Sequence, residues 1–109
     1  MAIPEMDLAR ITRWCHARVP EAIWDQVRIE ADAATTHVTI VEVRPKWNGG
    51  DEKIRQPVAR LRWNRQGYWT LYWPDRNGDF HEYHSADPTP RVQRLLEVID
   101  RDETSIFWG

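Results

Sequence analysis

With 109 residues, 41% of them hydrophobic, seven Trp and a net charge of −2, the chain has the size of one domain and enough large rings to build a core. That balance excludes a disordered protein, two separate cores and a uniformly basic nucleic-acid binder. The single cysteine, Cys15, excludes an internal disulfide, and no run of residues resembles a signal peptide or a membrane span, so we expect a cytoplasmic protein with no membrane partner.

The first element is a helix. Pro4 stands near its start, Leu8, Ile11, Trp14 and Cys15 recur at helical spacing, and Pro20 stops it. After a turn around Glu21 to Asp25 the period changes to two, with Val27, Ile29 and Ala31 alternating with Arg28, Glu30 and Asp32 on a half-buried strand. His37 to Arg44, rich in β-branched residues, forms an antiparallel partner that Pro45 ends. Lys46 to Gln56 has no period and contains Asn48-Gly49-Gly50-Asp51, which predicts a long loop with Trp47 as its one apolar anchor.

Val58 to Asn64 is the third strand, Gln66-Gly67 turns it, and Tyr68 to Trp73 is the fourth, with Trp69, Leu71 and Trp73 on one face. Asn77-Gly78 supplies the positive backbone angles of a second hairpin, and Phe80 to His84 is the fifth and shortest strand. Thr89 is the expected N-cap of the last helix and Pro90 its first residue, with Val92, Leu95, Leu96 and Ile99 as a one-sided stripe. Ile106, Phe107 and Trp108 are too apolar for a loose tail and are expected to fold back.

This order predicts one α+β domain over residues 1–109: an N-terminal helix, a five-stranded antiparallel meander sheet, and a C-terminal helix packed on one face. The face with Leu61, Trp63, Trp69 and Leu71 is the expected core. Opposite it fall Arg28, Glu30, Arg60, Arg62, Tyr68, Thr70 and Tyr72. Which residues share a face depends on register, because a one-residue slip exchanges the two faces.

From Arg55 to Arg76 the chain carries five Arg and one Asp, a local +4 that leaves −6 on the other 87 residues. Arginines there interleave with Trp63, Tyr68, Trp69, Tyr72 and Trp73. Sheets that hold single-stranded nucleic acid combine cations for phosphates with rings on which bases stack. Tyr, Trp and Arg are also the anchors of protein interfaces. The expected role is therefore a binding or interaction module with either a nucleic acid or a protein partner. Its candidate residues are Arg60, Arg62, Arg76 and Arg28 for charge, Tyr68 and Tyr72 for stacking, and Trp47 on the loop. The plainer alternative is that the arginines pair with acids on neighbouring strands.

The pieces Arg13-Trp14-Cys15, Thr39-Ile40-Val41-Glu42, Arg60-Leu61-Arg62, Trp69-Thr70-Leu71-Tyr72-Trp73 with Asp75-Arg76-Asn77, and Ile106-Phe107-Trp108-Gly109 occur in this order along the chain. As a set they resemble the bacterial domain-of-unknown-function family 3024, over nearly the whole length. The resemblance implies a stand-alone bacterial domain, common in actinobacteria, and carries no established activity, cofactor or catalytic residue with it.

Catalytic signatures are weak. His81 and His84 are three apart, so on a regular strand they point to opposite faces and share no metal ion, and four scattered His with one Cys lack paired zinc spacings. Cys15 and His16 are adjacent on a helix and cannot face each other, which makes Cys15 a core residue. No elbow motif surrounds Ser85 or Ser105, and no glycine-rich phosphate loop follows a strand. We therefore expect no metal, no cofactor and no catalytic residue. The alternative from another class is a small enzyme using Glu30, Glu82 and His84 on the open sheet face.

Overall fold

The structure, a computed structural model, describes residues 2–46 and 52–109. Helix α1 (Glu5–Ala17) leads into one 3-10 turn, Glu21–Ile23. Five strands follow, β1 (Arg28–Ala33), β2 (His37–Pro45), β3 (Lys53–Trp63), β4 (Trp69–Pro74) and β5 (Phe80–Glu82), and helix α2 (Val92–Arg101) comes last. The strands lie in the order β1-β2-β3-β4-β5, each antiparallel to its neighbours, which is the expected meander.

Both helices cover one face of the sheet. Ile11 and Cys15, four residues apart on α1, and Val92, Leu95, Leu96 and Ile99 on α2 are buried against Ile29, Val38, Ile40, Ala59, Leu61, Trp69 and Leu71. Burying each such Leu or Ile contributes roughly 1.5–3 kcal/mol. Trp69 is fully buried, and its indole satisfies its one polar atom by donating to Asp7 Oδ2 at 2.8 Å, which ties the start of α1 to β4. The far ends of the helices are joined through Asp100. It accepts from the Trp14 indole at 3.0 Å and pairs with Arg18, whose guanidinium lies 4.3 Å from the centre of the Trp108 ring.

Asp102 ends α2 in the left-handed region at φ 43°, and its carboxylate accepts from the backbone N–H groups of Phe107 and Trp108. That bond pair folds the terminal residues onto the body. Phe107 is buried against Tyr83, and the Trp108 indole donates to the Ile99 carbonyl at 3.0 Å.

Three expected boundaries are corrected. β3 begins at Lys53, so Lys53 to Gln56 belong to a strand rather than to the long loop. Their backbone groups pair with Pro45, Arg44, Val43 and Glu42, and this ladder needs no alternation because all four residues are exposed. Trp47 and most of the remaining loop lie outside the described residues. β5 ends at Glu82, since Tyr83 turns into the core and leaves His84 beyond the strand. Thr89 is not the N-cap of α2, which starts at Val92 after Arg91. Two backbone bonds pair Thr89 with Trp69 and hold it extended.

One irregularity decides what the open face carries. Ile40 pairs with Ala59 but Val41 pairs with Pro57, so Val58 is an extra residue in β3. Arg55 and Arg60 are an odd number of residues apart and would occupy opposite faces of a regular strand. The bulge absorbs one residue and puts both on the open face, across from Val43 and Thr39 of β2.

Candidate binding surface on the open sheet face

Following the ladders from edge to edge, the open face consists of Arg28, Glu30 and Asp32 on β1; His37, Thr39, Val41 and Val43 on β2; Arg55, Pro57, Arg60 and Arg62 on β3; Thr70 and Tyr72 on β4; and Phe80 and Glu82 on β5. It divides electrostatically into two parts.

In the first part every cation has an acid. Arg55 reaches across β2 and gives one nitrogen to Glu30 at 3.1 Å and another to both oxygens of Asp32 at 2.6 and 2.7 Å, while Arg28 pairs with the other oxygen of Glu30. The hydrogen bonds to Asp32 first, and then to Glu30, raise the pKa of Arg55 above its ordinary value. Val41 and Val43 stand below this bridge and are buried although no helix covers them.

The second part holds Arg60 and Arg62. Neither makes an ion pair among the described residues. Arg60 is fixed in place by two neutral contacts: its Nε donates to Thr39 Oγ1 at 3.0 Å, and its guanidinium lies 3.9 Å from the centre of the Phe80 ring. Burial first, and then the neighbouring Arg62, lower its pKa, although a guanidinium stays protonated throughout the physiological range. Arg60, Arg62, Tyr72, Gly78, Asp79 and Phe80 line a groove of about 270 Å³.

The wall of that groove is the β4–β5 hairpin, built on Asp75. Its Oδ1 accepts from the N–H groups of Asn77 and Asp79, and its Oδ2 lies 2.7 Å from His81 Nε2. Gly78 takes φ 85° here, a conformation that side-chain-bearing residues adopt only with strain. The hydrogen bond to His81 is the main reason that the Asp75 carboxyl titrates below its ordinary value.

Of the residues singled out from the sequence, the structure brings Arg60, Arg62 and Tyr72 into one groove. Arg28 is on the same face but is paired with Glu30. Tyr68 is exposed in the β3–β4 turn and Arg76 is exposed in the β4–β5 turn; neither lines the groove, and Trp47 lies outside the described residues. Thr39 and Phe80, which hold Arg60, went unnoticed, as did His37, which stands across the ladder from Arg62 without lining the groove. The signal for Thr39 and His37 was their place at even spacing on a strand opposite the arginines, but it becomes readable only with the register known.

Glu30 and Glu82 are not assembled into an acid and base pair. They stand on the two edge strands, four inter-strand spacings or about 19 Å apart. His84 lies 3.3 Å from Glu82, while His81 packs against Trp73 with ring centres 4.8 Å apart. Cys15 is fully buried, and burial pushes its thiol up to about 12, as fits a core residue rather than a nucleophile. No helix among the described residues is long and apolar enough to cross a membrane.

No curated protein and no solved structure matches the chain. The family model for a domain of unknown function, DUF3024, matches residues 2–109, in agreement with the resemblance carried by the short sequence pieces. The chain belongs to that family.

Proposed function

We propose that the protein is a binding module that holds single-stranded nucleic acid on its open sheet face, with Arg60 and Arg62 on backbone phosphates and Tyr72 beneath a base. The observation that carries this reading is the contrast in charge pairing. On a face where Arg28 and Arg55 are neutralised by Glu30 and Asp32, Arg60 and Arg62 make no ion pair among the described residues, in a groove with Tyr72 and Phe80 on its walls and Asp79 at its rim. Two guanidinium groups without ion pairs, one of them held by Thr39 and Phe80, favour an anionic ligand, and a ring at the same groove favours one with a planar base. Arg76, on the hairpin that walls the groove, is a further phosphate contact at its rim, and Tyr68 a second stacking ring at the β3–β4 end. The single buried cysteine fits a cytoplasmic home.

The test is fluorescence anisotropy of labelled single-stranded DNA, single-stranded RNA and duplex, titrated with the protein at about 50 and about 200 mM salt. Binding of the single strands that weakens with salt and is lost in Arg60→Ala/Arg62→Ala supports the reading. Tyr72→Ala is expected to weaken it by about 1–3 kcal/mol with the fold intact. Absence of binding at both salt concentrations refutes it.

A further inference from the structure

His37 opens β2 on the open face, directly across the ladder from Arg62 and diagonal to Arg60. Facing residues of an antiparallel pair have Cβ atoms about 4.5–5.5 Å apart, so the imidazole shares its surroundings with both guanidinium groups. Its Nδ1 is sealed from solvent and has no hydrogen-bond partner, which leaves Nε2 as the nitrogen able to exchange a proton.

The other charged groups around it are accounted for. From β1, the nearest acid on this face is Asp32, across from Thr39 and held by Arg55 through both carboxylate oxygens. From β4 come Thr70 and Tyr72, each bringing a hydroxyl. From β5 comes Glu82, which lies beyond Tyr72 and pairs with His84. From the β4–β5 turn comes Asp79, which lines the groove with Arg60 and Arg62, forms no ion pair among the described residues and lies on the far side of β3 from His37. His37 therefore has two arginines across its ladder and no acid directly opposite it. Burial first, then Arg60 and Arg62, lower its pKa from the ordinary 6.5.

We infer that an anion docking between Arg60 and Arg62 is bound together with one proton, taken up from solvent on His37, which makes the imidazolium a third cation beside the groove, behind Arg62. The inference rests on the reading of this groove as an anion site. An anion between the guanidinium groups cancels the field that opposes a charge on His37, leaving only burial against it. Linkage is reciprocal: if the ligand promotes protonation, protonation promotes binding by the same factor. Affinity then rises as the pH falls through the histidine range, by up to about tenfold per pH unit for one proton, and levels off once His37 is charged in both states.

The probe is single-stranded oligothymidine of about eight nucleotides with no terminal phosphate, within the usual span of one binding face. Neither a phosphodiester nor thymine titrates where histidine does. Two measurements on the unaltered protein decide the matter. Calorimetry in two buffers of different ionisation enthalpy reads proton uptake, and NMR titration of the His37 ring reads its pKa with and without the oligonucleotide. Expected are proton uptake of at most one per complex that peaks between the free and bound midpoints of His37 and vanishes at lower pH, and an upward shift of the His37 titration on binding, with His37→Gln abolishing the uptake. Salt-dependent binding without proton uptake and without a shift at His37 overturns the inference and leaves the nucleic-acid reading standing. Failure of the oligonucleotide to bind at any pH overturns both.

Discussion

Arg55 and Arg60 are the same residue type on the same strand and the same face, yet their surroundings have opposite effects. Arg55 spans β2 to meet Glu30 and Asp32, and these hydrogen bonds hold its charge more firmly. Arg60 rests on Thr39 and Phe80, neither of which carries charge, and burial beside Arg62 works against its proton. The first arrangement is self-contained and covers Val41 and Val43. The second leaves two positive charges unanswered within the described residues. A count of arginines does not distinguish the two, because what matters is where the acids of β1 can reach. They meet Arg28 on their own strand and Arg55 across β2, and neither pairs with Arg60 or Arg62.

The largest effect comes from removing what both regions share. Leu61 is fully buried between Arg60 and Arg62, and Leu61→Ala is expected to lower stability by about 2–5 kcal/mol. Thermal unfolding should show it, with both halves of the face lost together. If the paired half stayed ordered, the two regions would not rest on one core.

Arg60→Ala/Arg62→Ala separates them. We expect single-strand affinity to fall by roughly 100- to 10,000-fold, since hydrogen bonds to charged groups contribute about 1.5–3 kcal/mol each and two are lost. The slope of log K against log salt should become shallower by about 1.4 for two lost phosphate contacts. Thermal stability should fall by only about 1–2 kcal/mol, for the hydrogen bond to Thr39 and the contact with Phe80 that Arg60 loses. A large drop in stability with unchanged affinity would reverse the comparison.

Arg55→Ala should do the opposite. Its side chain is 42% exposed, so after screening we expect a loss of only about 0.5–1 kcal/mol in chemical denaturation. Its effect on affinity should be much smaller than that of the Arg60 and Arg62 pair. An effect on binding as large as theirs would mean that the bridge to β1 belongs to the site.

The smallest effect concerns the hairpin wall. Asp75 has a folded-state pKa depressed below its ordinary 3.8 by His81 and by the N–H groups of Asp79 and Asn77. The unfolded chain therefore binds the proton more readily, so the stabilisation is present above about 3.8 and is lost as the pH falls through the depressed folded value. Acid unfolding of Asp75→Asn should lack this component. If its profile matches the parent, the contact to His81 does not hold the hairpin.

Much of the architecture was legible in the chain. The helical spacing of Ile11 and Cys15 and of Val92, Leu95, Leu96 and Ile99, together with the alternation of Leu61 with Arg60 and Arg62, follows from burying one face per element. The α+β meander came from those periods and the hairpin signals. Lys53 to Gln56 escaped because a ladder exposed on both sides needs no alternation. Thr89 escaped because its extended shape comes from pairing with Trp69, twenty residues earlier. For the site, residue types at even spacing were enough to place Arg60, Arg62 and Tyr72 on one face, since alternation is a local property of a strand.

The sequence by itself determined the elements, the buried side of each and the concentration of cations between Arg55 and Arg76. Only the tertiary structure decided which of those cations are neutralised. The bulge at Val58 turns Arg55 onto the face of Arg60, Arg55 takes Glu30 and Asp32 across β2 while Arg60 turns to Thr39 and Phe80, and His37 stands across the ladder from Arg62. Ion pairing depends on distances between strands, and those are fixed by register and packing rather than by neighbours along the chain.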